Sequence, residues 1–425
     1  MSAAPDWLTE GLDHIWMPYT QMKTAPAPLP VVATDGVRLE LADGRRLIDG
    51  VSSWWTACHG YNHPHIRDAV ARQLATMPHV MLGGLAHRQA LTLASRLAAL
   101  LPGDLDHVFF AESGSVSVEI AMKIAVQYWL NRGHAGRTRF VSFTDGYHGD
   151  TFACMAVCDP EEGMHAMFKG VVPEQIVVAL PRSQELREKF DALLAAKRDE
   201  VAAVMLEPLV QGTGGMRFHT ADDVAFIRAV CDRHDVLLIA DEIMTGFGRT
   251  GSLFACEQAD VVADIVTLSK ALTGGTLPLA ATIARTPIFE SFLDDDPERC
   301  LMHGPTYTGN ALACAAANAS LDLFESEPRL ADVLRIEAEL REGLAPCAGR
   351  AGVVDVRVRG AIGVVQIDQI DDTAWFRDRF VERGVWIRPF RDIVYVMPPF
   401  VASSDEIALL TSAIVDVVDA WSKMR

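Results

Sequence analysis

Residues 236–251, VLLIADEIMTGFGRTG, and residues 264–280, DIVTLSKALTGGTLPLA, decide how this chain is read. In the first stretch an unbroken apolar run, 236–240, ends at Asp241. In the second a shorter run, 265–268, ends at Ser269 and Lys270. Short apolar runs without alternation read as strands buried on both faces. Such strands deliver Asp241 and Lys270, 29 positions apart in sequence, to strand ends. Each residue alone admits a plain explanation: Asp241 as a helix cap, Lys270 as a solvated loop lysine.

The same pattern extends outward. Apolar runs at 107–110, 139–143, 176–180, 202–206 and 279–283 are further strand candidates. Helical patterns such as SVSVEIAMKIAVQYWLNR and AFIRAVCDRH separate most of them. Strands alternating with amphipathic helices predict a mainly parallel sheet covered by helices on both faces, an α/β domain. Before it, VVATDGVRLELADGRRLIDG carries Asp35-Gly36 and Asp43-Gly44 turn signals between extended segments. After about residue 325, two helical stretches flank VVDVRVRGAIGVVQID, which reads as an antiparallel pair, and IVYVMP adds a strand. The expected organisation is an extended N-terminal segment over 1–63, a large domain over 64–325, and a C-terminal part over 326–425 that forms a smaller α+β domain together with the N-terminal segment.

Half of the 425 residues are hydrophobic, and the net charge is −18. That balance supports a sizeable core and an acidic surface, and argues against nucleic acid or an anionic membrane as partner. No run approaches the roughly 18–20 apolar residues of a membrane span, and MSAAPDWLTEGLDHIW lacks the basic and apolar regions of a signal peptide. The eight cysteines are scattered without a CxxC pair, as expected of reduced thiols in the cytoplasm. Cys154 and Cys158 could share a helix face, but no further ligand pair stands beside them, and no metal site is expected.

Other motifs surround the Asp241–Lys270 pair. A carboxylate and an amine at neighbouring strand ends suit pyridoxal phosphate, which needs an amine for its aldehyde and an acid partner for its ring nitrogen. Glu112-Ser113-Gly114-Ser115 follows the strand HVFFA and opens a helix, where free amides and the helix dipole can hold a phosphate; an ordinary cap at Ser115, followed by Glu119, is the alternative. In GYHGD, residues 146–150, Tyr147 could lie flat on a planar ligand or simply pack in a turn. His148 takes second place to Lys270 as a base. In HGPTYTGN, Thr306 could offer a hydroxyl and an amide to phosphate, or Pro305 and Gly309 could only mark a loop before a helix. Arg388 in GVWIRPF needs an anion, either a substrate carboxylate or an internal acid. Trp54-Trp55, followed by small residues and His59-Gly60, is unusual for a core strand, whose adjacent side chains face opposite ways.

With these residues in hand, ADEIMTGFGRTG, LSKALTGG and GYHGDT make the chain resemble the class III aminotransferases of fold type I. The runs HIWMPYTQM, VSSWWTACHGYNHP, MPHVMLGGLAH, ESGSVSVEIAMKIAVQYW, HGPTYTGNALACAAANASL, GVWIRPF and YVMPPF extend the resemblance over residues 14–400. They point to the branch that aminates 8-amino-7-oxononanoate on the route to biotin, with S-adenosylmethionine as donor. The resemblance implies that Lys270 holds pyridoxal phosphate covalently, Asp241 meets the protonated ring nitrogen, and Tyr147 covers one ring face. It also implies phosphate binding by Gly114 and Ser115 of one subunit and by Pro305 and Thr306 of the other, in a homodimer with sites at the interface. Tyr19, Trp54, Tyr147, Gly304, Arg388 and Tyr395 would contact substrate, and Glu207 in MLEPLVQG matches a family glutamate near the cofactor. Lysine as donor, another ω-aminotransferase, an aminomutase or decarboxylase, and a binding protein without turnover are the competing readings.

Overall fold

The computed structural model describes residues 5–160, 165–168 and 170–424. The chain divides into two compact units, one of Met1–His63 with Leu334–Arg425 and one of Pro64–Val333.

The second unit is built on a seven-stranded sheet. Its strands are β1 (His107–Ala111), β2 (Arg139–Phe143), β3 (Ile176–Val178), β4 (Val201–Leu206), β5 (Leu237–Asp241), β6 (Ile265–Leu268) and β7 (Ala280–Ala284). They lie in the order β1-β7-β6-β5-β4-β2-β3. All neighbouring pairs are parallel except those of β7, which runs antiparallel to both β6 and β1. Each expected strand is present within a residue or two. The one at 176–180 stops at Val178, three residues before Pro181, which has no amide to donate to a ladder. Every residue of β4, β5 and β6 is buried, which is why these runs show no alternation.

Helices α1 (Pro64–Thr76), α2 (Arg88–Leu100), α3 (Gly114–Asn131), α4 (Gln184–Lys197), α5 (Ala221–His234) and α6 (Ala311–Ser326) belong to the same unit. Helix α3 is apolar around most of its circumference and buries Val118, Ile120, Ala121, Ile124, Ala125 and Trp129 in the main core cluster. The Trp129 indole donates to the carbonyl of Ala202 in β4 at 2.8 Å, so the one polar atom of a buried ring is satisfied. Asp241 and Thr267 are direct partners across the β5–β6 ladder. The segments that leave the carboxyl ends of β1, β2, β4, β5 and β6 therefore emerge at one edge of the sheet, where open α/β folds bind ligands.

The first unit holds two sheets. Val31–Asp35, Arg38–Leu41 and Arg46–Asp49 form the expected antiparallel run, with Gly36 and Gly44 at positive φ in its turns, and Val385–Trp386 adds in parallel beside Arg46–Asp49. Val353–Arg359, Ile362–Ile367 and Ile393–Val396 make an antiparallel three-stranded sheet. The last helix, Ser404–Ser422, starts with a Ser403/Glu406 capping box, and Glu406 also pairs with Arg38 at 2.9 Å. Among the described residues no helix is long and apolar enough to cross a membrane. Seven of the eight cysteines are buried and Cys300 is exposed.

Candidate active site

Asp241 is the last residue of β5 and is 4% exposed. No helix begins there, which removes the capping explanation. Its Oδ1 accepts from the Ile243 amide and the Thr267 hydroxyl, both at 3.2 Å, and its Oδ2 lies 2.8 Å from Nδ1 of His148. A carboxylate with these partners is held in one orientation in a buried place. Burial lowers the affinity of His148 for a proton, but the bond to Asp241 and the charges of Asp241 and Glu207 outweigh it, so its pKa is raised above 6.5.

Lys270 follows Ser269 at the end of β6 and starts a short 3₁₀ turn with φ at +39°. It is half-buried rather than a solvated loop lysine. Burial pushes its amine below the ordinary 10.5, while the carboxylates of Asp241, Glu207 and Asp150 pull the other way. Glu207 stands just past β4. One of its oxygens accepts from the Tyr147 amide at 3.0 Å, the other from the Gly212 amide at 2.9 Å. Burial lifts its carboxyl to about 7, with His148 lowering it and Asp241 raising it further.

Tyr147 is half-buried, donates its hydroxyl to Asp150 at 2.9 Å, and stacks on the His165 ring with centroids 6.0 Å apart. The loop that carries it rests on the start of α3. The Asp150 amide donates to Ser115 Oγ at 3.1 Å, and a Cβ on Gly149, whose φ is +129°, would come within 2.3 Å of that oxygen. Only glycine permits this approach.

At α3 itself the cap is Ser113, not Ser115. Ser113 Oγ accepts from Val116, and the Ser117 amide closes on the Ser113 carbonyl. The Gly114 and Ser115 amides are thus the ones left at the helix start for an anion, and a Cβ on Gly114 would already press on Ile243 at 3.1 Å. Glu119 is bound instead by the Ala153 amide at 3.1 Å.

Among the described residues, then, Lys270, Asp241, His148, Glu207, Tyr147, Gly114 and Ser115 belong to segments that leave carboxyl ends of strands in one sheet. The Gly304–Pro305–Thr306 loop is not joined to them by any hydrogen bond among the described residues. Thr306 gives its carbonyl to His79 at 3.1 Å, and the Thr308 hydroxyl reaches the Phe110 carbonyl at 2.8 Å. The cap of α6 is Asn310, four residues beyond Thr306. In the first unit the Arg388 guanidinium lies 5.3 Å from the Trp54 ring centroid, and Tyr19 meets Trp54 edge-on at 6.4 Å. Arg388 makes no ion pair among the described residues, so the internal acid allowed by its sequence is not found. Tyr395 is 1% exposed, packed edge-on against Trp55 and Phe390, and burial pushes its hydroxyl up to about 12.

The donor set fits pyridoxal phosphate on three counts. A desolvated amine stands beyond the ladder partner of a buried carboxylate, free amides open a helix for the phosphate, and an aromatic ring sits on an adjoining loop. The aminotransferase class-III family model matches residues 19–418. The chain belongs to that family. Class III relatives include the adenosylmethionine-8-amino-7-oxononanoate aminotransferase of Corynebacterium glutamicum, 44% identical over 95% of this chain and 96% of that one. The enzyme of that name from Mycobacterium leprae is 45% identical over 95% and 94%. Among solved structures, the same-named aminotransferase of Methanocaldococcus jannaschii superimposes with a TM-score of 0.92 at 32% identity, covering 97% of this chain and 98% of that one. A PLP-bound amine transaminase from an uncultivated Pseudomonas species gives 0.88 at 31% identity over 96% and 98%.

In this class III chain, the sequence alone gives His148 and Thr267 no part in holding Asp241. Thr267 had a signal, a hydroxyl inside an otherwise apolar strand. His148 had none that named its partner.

Proposed function

We propose that this protein transfers an amino group from S-adenosylmethionine to 8-amino-7-oxononanoate, with pyridoxal phosphate as cofactor. The observation that carries the transamination is the desolvated amine of Lys270, placed just past the β6 partner of the buried Asp241 carboxylate. The choice of substrates is supported by the names of relatives that match this chain over nearly its whole length.

Lys270 would hold the cofactor and move the proton. Burial lowers its pKa, so more of the amine is free base near neutral pH than an exposed lysine would provide. Its ammonium form, favoured by the charges of Asp241, Glu207 and Asp150, can return the proton after the donor carbon has lost it. Asp241 would meet the ring nitrogen, its charge fixed by Ile243, Thr267 and His148. The Gly114 and Ser115 amides would bind the phosphate, and Tyr147 would cover a ring face. Bound there, pyridoxal phosphate supplies an electron sink for the charge left when the donor C–H bond breaks. The second half of the reaction runs the proton transfers in reverse on the ketone.

Arg388 would read the substrate carboxylate, since a guanidinium matches that anion with two parallel bonds. Tyr19 and Trp54 offer aromatic faces to adenine and to the sulfonium cation, worth about 0.5–2 kcal/mol per good contact. Gly304 and Tyr395 complete the substrate residues. Pro305 and Thr306 would reach the phosphate from a second copy of the chain, which makes the working unit a homodimer, and the cytoplasm is its place of action. The test is a single-turnover comparison of S-adenosylmethionine and lysine on the holoenzyme, followed by the absorbance of bound cofactor. Rapid conversion by S-adenosylmethionine is expected. Efficient conversion by lysine alone would overturn the donor assignment, and no conversion by either amine would overturn the transaminase reading.

A further inference from the structure

Four consecutive residues other than glycine, Ser52, Ser53, Trp54 and Trp55, have φ of +47°, +49°, +56° and +73°. They form a single left-handed turn, closed by bonds from the Trp55 amide to the Val51 carbonyl and from the Thr56 amide to the Ser52 carbonyl, both 2.8 Å. For residues with a Cβ this conformation is disfavoured at each position, because Cβ crowds the following carbonyl. A run of four persists only where the surroundings over-determine it.

The surroundings here centre on Asp49, which is 1% exposed and ends the strand Arg46–Asp49. Its Oδ1 accepts the Val51 amide at 2.9 Å. Its Oδ2 accepts the Ser53 amide at 2.7 Å and the Tyr61 hydroxyl at 2.5 Å. The Ser52 hydroxyl donates to the Met397 carbonyl at 2.7 Å. The turn separates the two tryptophans. Trp55 is 7% exposed and packs on Tyr395, whereas Trp54 is 41% exposed and lies against the Arg388 guanidinium and Tyr19. A right-handed or extended path through 52–55 would point these rings elsewhere.

We propose that Asp49 is a positioning residue for substrate recognition: by binding the Val51 and Ser53 amides and the Tyr61 hydroxyl, it locks residues 52–55 in the left-handed turn that sets Trp54 against Arg388. The role in recognition rests on the reading of Trp54 and Arg388 as substrate contacts. The locking of the turn does not, because it concerns only groups of the first unit.

The experiment compares the holoenzymes of wild type, Asp49→Ala, Asp49→Asn and Asp49→Ala with Ser53→Gly. Glycine adopts the φ of position 53 without crowding, so it should replace part of what the carboxylate enforces. In Asp49→Ala the Michaelis constant for 8-amino-7-oxononanoate should rise about tenfold with kcat changed less than about threefold, and adding Ser53→Gly should recover a good part of the loss. Asp49→Asn keeps one acceptor and should fall between; it also serves as the folded variant if the alanine protein does not accumulate. The turn is read separately by the near-ultraviolet circular dichroism of Trp54, taken as the difference from Trp54→Phe. That signal should weaken in Asp49→Ala and return with Ser53→Gly. An unchanged Trp54 signal in the Asp49 variants would overturn the locking role. A weakened signal with an unchanged Michaelis constant would overturn the role in recognition. Loss of activity that Ser53→Gly does not relieve would mean that Asp49 only supports the fold. If the wild type does not use 8-amino-7-oxononanoate, the substrate reading fails, and the circular dichroism still decides the turn.

Discussion

Replacing Asp241 by asparagine keeps the shape of the side chain and removes its charge. The amide oxygen can still accept from Ile243 and from Thr267, so the local backbone has no cause to move. What is lost is the charged partner of His148, 2.8 Å away. At an effective dielectric constant of about 20, unit charges at that separation attract by about 6 kcal/mol, an upper figure because burying both charges opposes it. Removing one member of a buried pair costs about 3–5 kcal/mol in practice. The expected loss of stability is therefore about 3 kcal/mol, seen as a fall of several degrees in melting temperature.

The catalytic loss is separate and larger in effect. A fixed charge aimed at the reacting group contributes about 2.7–4 kcal/mol, so the half-reaction with the amino donor should slow by about 10² to 10³-fold. Stopped-flow absorbance of the bound cofactor measures it. The pH dependence supplies a second check. His148 has its pKa raised above 6.5, so its contribution to stability is complete below that value and fades as the pH rises through the higher folded one. In Asp241→Asn the bond and the charge of Asp241 are gone while burial and the charge of Glu207 remain, and this window should narrow. A half-reaction within about threefold of wild type would refute the placing of Asp241 at the reacting group.

Lys270→Ala should still bind pyridoxal phosphate through the Asp241 and helix-start contacts, but convert the donor at least about 10³-fold more slowly; near-normal turnover would remove Lys270 from the mechanism. For Glu207 the carboxyl is raised from 4.5 to about 7, so the stability it contributes is complete below pH 4.5 and is lost as the pH rises through 7. The full swing is about 3 kcal/mol, and the fall in melting temperature between pH 5 and pH 8 should be smaller in Glu207→Gln than in wild type. Arg388→Lys should raise the Michaelis constant for the keto acid by about tenfold or more without changing the cofactor absorbance, because an ammonium cannot make the two parallel bonds. Mixing Lys270→Ala chains with a Thr306 variant should regenerate about a quarter of wild-type activity, since half the dimers are mixed and each has one intact site of two; full activity from a monomer in sedimentation would exclude shared sites.

The sheet was legible in the sequence because its central strands are buried on both faces. That is what turns β4, β5 and β6 into unbroken apolar runs, and it is also why Asp241 and Lys270 stood out as the polar residues ending two of them. Boundaries were less legible where two residues of the same chemistry compete. Ser113 and Ser115 can both cap a helix, and Asn310 and Thr306 both precede α6. Which one caps is decided by where the preceding strand or loop releases the chain, and that is a tertiary fact. Partners distant in sequence left the weakest trace. His148 reaches Asp241 across 93 positions, and the motif GYHGD shows a histidine without naming what it holds.

The left-handed turn at 52–55 marks the limit more sharply. Local preference argues against it at every residue, since serine and tryptophan avoid positive φ and no glycine stands among the four. The conformational cost of such a run, about 1–2 kcal/mol per residue, must be offset by groups outside it. Those groups are visible: the buried Asp49 carboxylate with its three donors, and the Met397 carbonyl that accepts from the Ser52 hydroxyl. Where local propensity and structure disagree this strongly, the disagreement itself locates a site at which the fold holds the chain for some purpose other than its own stability. At Trp54 the turn sets a large ring, 41% exposed, beside a guanidinium that makes no ion pair among the described residues, an arrangement that stability alone would not select.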